Sequence, residues 1–226
     1  MMNAATAISP AQDTTAPGTR ELIIDHSCPA IRRAAYARTA LEIRFALLAR
    51  PGATLLVSAV DIAISAARLA ANLAILAAQG GERVVLVDAN PYAPSLQALF
   101  ALPKHAGFAD LVRGEPVGAP GQLVDAVPNL RVIGAGEGQL PAGRRYRAAL
   151  AGALAPLKDG ADQLILIGPP LMARADSLEL CHFVDGMIVT LVPGVTSRLD
   201  AARVRDLLAR VRAPLLGAIL TRDHGA

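Results

Sequence analysis

The chain predicts one α/β domain: a mostly parallel, twisted sheet with helices on both faces. Three observations carry this. Past residue 50, short apolar runs rich in β-branched residues alternate with longer stretches of helical periodicity. The runs are almost wholly apolar, as strands buried on both faces of a parallel sheet require. And 226 residues with 53% apolar content are enough for one sizeable core, with no sign of a repeat or a second domain.

The elements follow in order. Residues 1–20 are dominated by Ala, Thr, Pro and Ser and read as a disordered lead-in, with the domain proper running from 21 to 226. Residues 30–49, "AIRRAAYARTALEIRFALLA", form a first helix. Strands are expected at 54–59, 83–89, 130–135, 163–168, 186–192 and 215–221, and helices near 65–79, 94–101, 142–157 and 196–212. The last helix places Val204, Leu207, Leu208 and Val211 on one side and turns Arg198, Arg205 and Arg212 away from them. In such a sheet ligands bind at the carboxyl ends of the strands, so the ends of 54–59, 83–89 and 163–168 are the places to inspect.

Composition excludes several classes. No apolar run reaches the eighteen or so residues a membrane span needs, because Asp61 and Arg68 break the most apolar region. The N-terminus lacks a basic start followed by an apolar stretch, which argues against a signal peptide and for a cytoplasmic protein. Aromatic content of 3% offers no stacking platform for nucleic acid. Cys28 and Cys181 have no metal-like spacing and read as packed thiols. The net charge of +3 is mildly basic and permits an anionic partner. "GRRYR" (143–147) and the stripe Arg198, Arg205 and Arg212 are read as solvated faces ahead of binding surfaces. "GAGEGQLPAG" (134–143) follows a strand, yet its Pro141 marks a turn-rich surface connection instead of a phosphate loop.

The informative stretch is "SAVDIAISAARLAANLA" (58–74), where a strand passes through a tight loop into a helix. At that place a phosphate is held by glycines, whose freedom at positive φ lets successive N–H groups turn inward, and by a lysine reaching the outer phosphates. This stretch has neither.

"AANLA" (70–74), "ERVVLVDANPYAPSLQALFALPKHAGFADLVRGE" (82–115), "LRVIGAGEGQLPAG" (130–143), "QLILIGPPLMARADSLELCHFVDGMIVTLV" (163–192) and "LLGAILT" (215–221) fall in one order with one spacing. That order resembles the cytoplasmic kinase domain of bacterial tyrosine kinases of polysaccharide export, a branch of the P-loop ATPases related to the Min and Par proteins. The resemblance covers roughly residues 34–222. It implies departures at the chemistry. Counting back from "AANLA", the G-E-G-K-S-T of the family lands on Ala63, Ile64, Ser65, Ala66, Ala67 and Arg68. Ala66 stands for the lysine and Ala67 for the Mg²⁺-binding hydroxyl. The D-A-D-x-R motif becomes Asp88, Ala89, Asn90, Pro91, Tyr92, and Ile167 stands where the metal-organising aspartate belongs. The E-x-x-R-x-x-R motif, which helps build a subunit ring, falls on Ala34, Ala37 and Ala40, with Arg38 one residue off. No tyrosine-rich tail follows "TRDHGA".

Phosphoryl transfer rests on positioning and charge neutralisation, so the resemblance implies a non-catalytic pseudokinase with no cofactor and no metal. Asp88, Asn90 and Arg68 are the weak residual candidates for a nucleotide site. Arg68 is expected as a solvated residue near its helix start and Asp88 as a loop-capping carboxylate. The implied partner is the cytoplasmic part of an inner-membrane polysaccharide co-polymerase, with a homo-oligomer left open, and the implied location is cytoplasmic, peripheral to the inner membrane through that partner. Two rival readings remain: a divergent ATPase or tyrosine kinase built on Asp88, Asn90 and Arg68, and a degenerate Par/Min-like positioning protein.

Overall fold

The computed structural model describes residues 22–23, 29–47, 52–115 and 121–221. The expected lead-in 1–20 and Cys28 lie outside them. Seven strands form one sheet: β1 (Ala53–Ala59), β2 (Val84–Asp88), β3 (Gln122–Val124), β4 (Val127–Ile133), β5 (Gln163–Ile167), β6 (Gly186–Leu191) and β7 (Leu215–Leu220). Their order is β3-β4-β2-β5-β1-β6-β7, parallel throughout except where β3 runs antiparallel to β4. The helices are α1 (Ala30–Ala46), α2 (Ala63–Gln79), α3 (Leu96–Leu99), α4 (Phe108–Arg113), α5 (Arg144–Asp159), α6 (Asp176–Leu180) and α7 (Arg198–Arg210).

β1 sits in the middle of the sheet, and all seven of its residues are buried. This is the physical meaning of its unbroken apolar run: side chains on both faces need a dry partner. On one face Leu55, Val57, Ile165 and Ile188 pack against α1 and α2. On the other, Leu56, Leu164, Leu166 and Val189 pack with Tyr146, Leu150 and Leu154 of α5, Leu180 of α6, and Val204 and Leu208 of α7. Leu22 and Ile23 are also buried, and Ile23 N–H donates to Asn72 Oδ1 on α2 at 2.8 Å. The domain is therefore already packed at residue 22.

Several expectations shift. β7 is an edge strand with none of its residues buried, so its apolar run does not mark burial on both faces. The helix expected at 94–101 contracts to Leu96–Leu99, followed by Ala101 at φ 51°. α7 ends at Arg210, and Arg212 lies beyond it at φ 53°, outside the stripe it was assigned to. α4, β3 and α6 are additional. Each is only three to six residues long, too short for a hydrophobic period to register.

Candidate functional site

The connection from β1 to α2 is three residues, Val60–Ile62. Its first residue and the end of β1 are bonded to β6 and to the loop after β5. Val60 N–H donates to Thr190 O of β6 at 3.1 Å, Leu171 N–H to Ala59 O at 2.9 Å and Met172 N–H to Val60 O at 3.3 Å. The loop after β5 is thus laced to the end of β1. Below it, Pro169 O accepts from the hydroxyls of Ser58 (2.6 Å) and Ser177 (2.8 Å). Buried Ser65 is tied on two sides: its hydroxyl lies 2.7 Å from Thr190 Oγ1 and donates to Ile62 O at 2.9 Å.

Ala66 and Ala67 are fully buried, and both belong to the core cluster on the α1–α2 face. The position that the resemblance gives to the phosphate-binding lysine is therefore a methyl group in close-packed surroundings. Ile167, at the end of β5, is buried in the same cluster, and its carbonyl accepts from Ala89 N–H at 2.9 Å. Arg68 sits half-buried in the second turn of α2, not on the solvated face expected for it.

Asp88 closes β2 and is fully buried. Both its oxygens are used by backbone donors. Oδ1 accepts from Asn90 N–H at 3.1 Å, and Oδ2 from Ser95 N–H at 2.7 Å and Leu96 N–H at 3.2 Å. Burial pushes the carboxyl up to about 6, against the three N–H groups, which pull it down. The carboxylate folds the 90–95 loop around itself and caps the start of α3. Asn90, beside it, is 1% exposed; its Nδ2 donates to Ala93 O at 3.4 Å, while its Oδ1 finds no hydrogen bond among the described residues. Oδ2 of half-buried Asp61 is in the same condition. Asp88 and Asn90 come together, as their spacing requires; Arg68 belongs to a different element, α2.

A second group of residues carried no warning in the sequence. Tyr92, standing where the family motif has arginine, donates its hydroxyl to Asp176 Oδ2 at 2.6 Å, and the Arg174 guanidinium lies 3.6 Å from the centre of its ring. Arg174 also reaches Asp176 at 3.3 Å, and Arg147 of α5 pairs with Glu179 of α6 at 2.8 Å. Burial, with help from the Asp176 hydrogen bond, raises the Tyr92 phenol. This clasp joins the loop after β2 to the loop after β5. A residue 84 positions away in sequence gives no local pattern from which to read it.

Cys181 is buried with its sulfur 3.6 Å from Met187 Sδ, and burial pushes the thiol up to about 11, as in an inert packed cysteine. Among the described residues no group of His, Cys, Asp and Glu is placed to hold a metal ion. None of the described helices is long and apolar enough to cross a membrane.

A seven-stranded, mostly parallel sheet with helices on both faces and a strand–turn–helix at its central strand defines a P-loop-ATPase-like domain. The relatives of this chain are bacterial tyrosine-protein kinases. It is 28% identical over 156 residues to tyrosine-protein kinase YwqD of Bacillus subtilis (strain 168), covering 67% of this chain and 64% of that protein. It is 22% identical over 174 residues to the putative tyrosine-protein kinase CapB of Staphylococcus aureus, covering 75% of each. The chain therefore spans somewhat under two thirds of YwqD and three quarters of CapB. Among solved structures, the BceF tyrosine kinase domain superposes with a TM-score of 0.72 at 20% identity over 92% of this chain and 84% of its own. MinD of Aquifex aeolicus superposes with 0.59 at 15% identity over 77% of this chain and 70% of its own, and shares the fold. No family model matches the chain.

Proposed function

We propose that this chain is a non-catalytic pseudokinase. It acts as a scaffold or regulator in biosynthesis and export of an exopolysaccharide of the capsule or holdfast type, binding the cytoplasmic part of a membrane polysaccharide co-polymerase. The observation that carries the loss of chemistry is the burial of Ala66. A phosphate chain with Mg²⁺ requires inward N–H groups, an amine and a metal-bound hydroxyl. Here the turn is three residues without glycine, its Val60 is bonded to β6 and to the loop after β5, and methyl groups of Ala66 and Ala67 fill the core at two further positions. These residues do not fit a nucleotide with its metal.

The polysaccharide setting rests on the family resemblance and on the kinases named above. Binding free energy and conformational bias need no chemistry, so a chain of this fold can still serve as a docking part. A cytoplasmic location, reached at the membrane through the partner, belongs to the same proposal, as does a domain spanning 21–226 behind a disordered lead-in.

The test is capture of the purified co-polymerase, in detergent, by the full chain with and without ATP and Mg²⁺. The reading expects a complex whose affinity is the same in both conditions. A complex that forms only with ATP and Mg²⁺, or tyrosine phosphorylation of either protein, would favour the divergent-kinase alternative built on Asp88, Asn90 and Arg68. Polar or septal localisation independent of the co-polymerase would favour the Par/Min-like one.

A further inference from the structure

The strand ends that frame the former phosphate position share a second property. In sheet order, the connections leaving β5 and β6 and the end of β7 carry Met172, Val195 and Leu220, which are 44%, 55% and 71% exposed. Leu199, in the first turn of α7, is 60% exposed. Strands lie about 4.8 Å apart, so these side chains are strung over roughly 15 Å of one edge. Met172 and Val195 stand in loops, Leu199 in the first turn of α7 and Leu220 at the last residue of β7.

Arginines flank them. Arg144 and Arg145 occupy the first turn of α5, and Arg198 is the first residue of α7. All three are exposed and form no ion pair among the described residues. A cation in a first turn opposes the helix dipole, and the first turn of α5 has no acidic residue to offset it. The fold itself gains nothing electrostatically from this placement. The acidic groups on the same edge are already engaged: Asp176 by Tyr92 and Arg174, Glu179 by Arg147, Asp200 by Ser197 and Arg203, and Glu137 by Lys104. Asp61 is half-buried. Three unneutralised cations beside protruding apolar side chains are left.

We propose that this carboxyl edge is a membrane-contacting surface that takes anionic phospholipid headgroups. Isolated apolar tips dip into the interface while long arginine side chains keep their guanidinium groups at headgroup level. Single apolar side chains spaced along the edge, among cations with no acidic partner, match the charge and softness of an anionic lipid interface. The assignment does not depend on whether nucleotide chemistry has been lost.

The test is co-sedimentation of the full chain with phosphatidylglycerol-containing vesicles and with pure phosphatidylcholine vesicles. Binding to the first and little to the second is expected, falling steeply with added salt. Each arginine contributes roughly fivefold, so R144Q/R145Q/R198Q weakens binding roughly a hundredfold and the reversal R144E/R145E/R198E weakens it further. V195D/L199D lowers it several-fold, and R210E, at the far end of α7, leaves it unchanged. The triple reversal and V195D/L199D do not lower the unfolding midpoint, since acidic groups in first turns suit the helix dipole, which separates lost binding from lost fold. Equal binding to both vesicles, no binding to either, or binding that survives the triple reversal overturns the assignment. So does capture of an acidic protein segment through the same arginines in a chain that ignores vesicles.

Discussion

The ends of β1 and β2, with only β5 between them, are buried for different reasons. Beside the end of β1, Ala66 and Ala67 stand at two positions of the kinase pattern's phosphate loop, and both are buried in the core. At the end of β2 the carboxylate of Asp88 remains, and it too is buried. The difference lies in what each side chain supports. Ala66 is a methyl group within the apolar core cluster and can accept no backbone hydrogen bond. Asp88 accepts from three backbone N–H groups, and removing it would strand all three in a dry site. A residue with a second, structural duty outlasts the chemistry. A retained acidic residue is therefore weak evidence of retained catalysis.

That contrast can be broken, starting with the largest effect. Ala66→Lys, nominally a repair, buries an unpaired ammonium and costs about 4 kcal/mol in urea-denaturation stability without conferring nucleotide binding. A stable, ATP-binding variant would show the pocket to be open. Asp88→Ala leaves three buried donors unsatisfied and costs about 3 kcal/mol by the same measurement; a loss under 1 kcal/mol would mean the loop does not depend on the carboxylate.

The raised Asp88 value sharpens the comparison through pH. Its carboxyl titrates at about 6 in the folded chain and near 3.8 when unfolded. Between those values the folded state holds the extra proton, so this group's contribution to stability declines as pH rises. The full span is worth about 3 kcal/mol. Stability of the natural chain relative to Asp88→Asn should thus improve by that order as pH falls through the window, and a flat difference would contradict the buried carboxyl.

Smaller effects test the surroundings. Ser65→Ala removes the bond that holds the start of α2 to β6 and costs about 1 kcal/mol, read as a shift in the unfolding midpoint. Tyr92→Phe breaks a half-exposed hydrogen bond to Asp176 and costs at most about 0.5 kcal/mol. Its clearer readout is hydrogen exchange, which should rise in the 90–95 and 171–176 loops together if the clasp joins them.

Much of the fold was legible because the buried strands of a parallel sheet have unbroken apolar runs. The order and approximate limits of six strands and the long helices follow from that signal alone. β7 was readable as a strand but not as an exposed edge, since Leu215, Leu216 and Leu220 have the composition of buried residues. β3 and α6 escaped because a three-residue strand and a five-residue helix contain too little periodicity. At the site, spacing showed which residues stand at each motif position, and it placed Asp88 and Asn90 side by side. It could not show that Arg68 is half-buried, that Ser65 bonds Thr190 across 125 residues, or that Tyr92 meets Asp176. Those contacts join distant parts of the chain, and only the folded backbone brings them together.

The central claim is that the fold persists while its phosphate position has been filled. The most direct measurement is isothermal titration of the folded chain with ATP and ADP, each with and without Mg²⁺. The account predicts no binding heat in any of the four titrations. Micromolar binding that disappears in Asn90→Ala would contradict it and place a working nucleotide site at the end of β2.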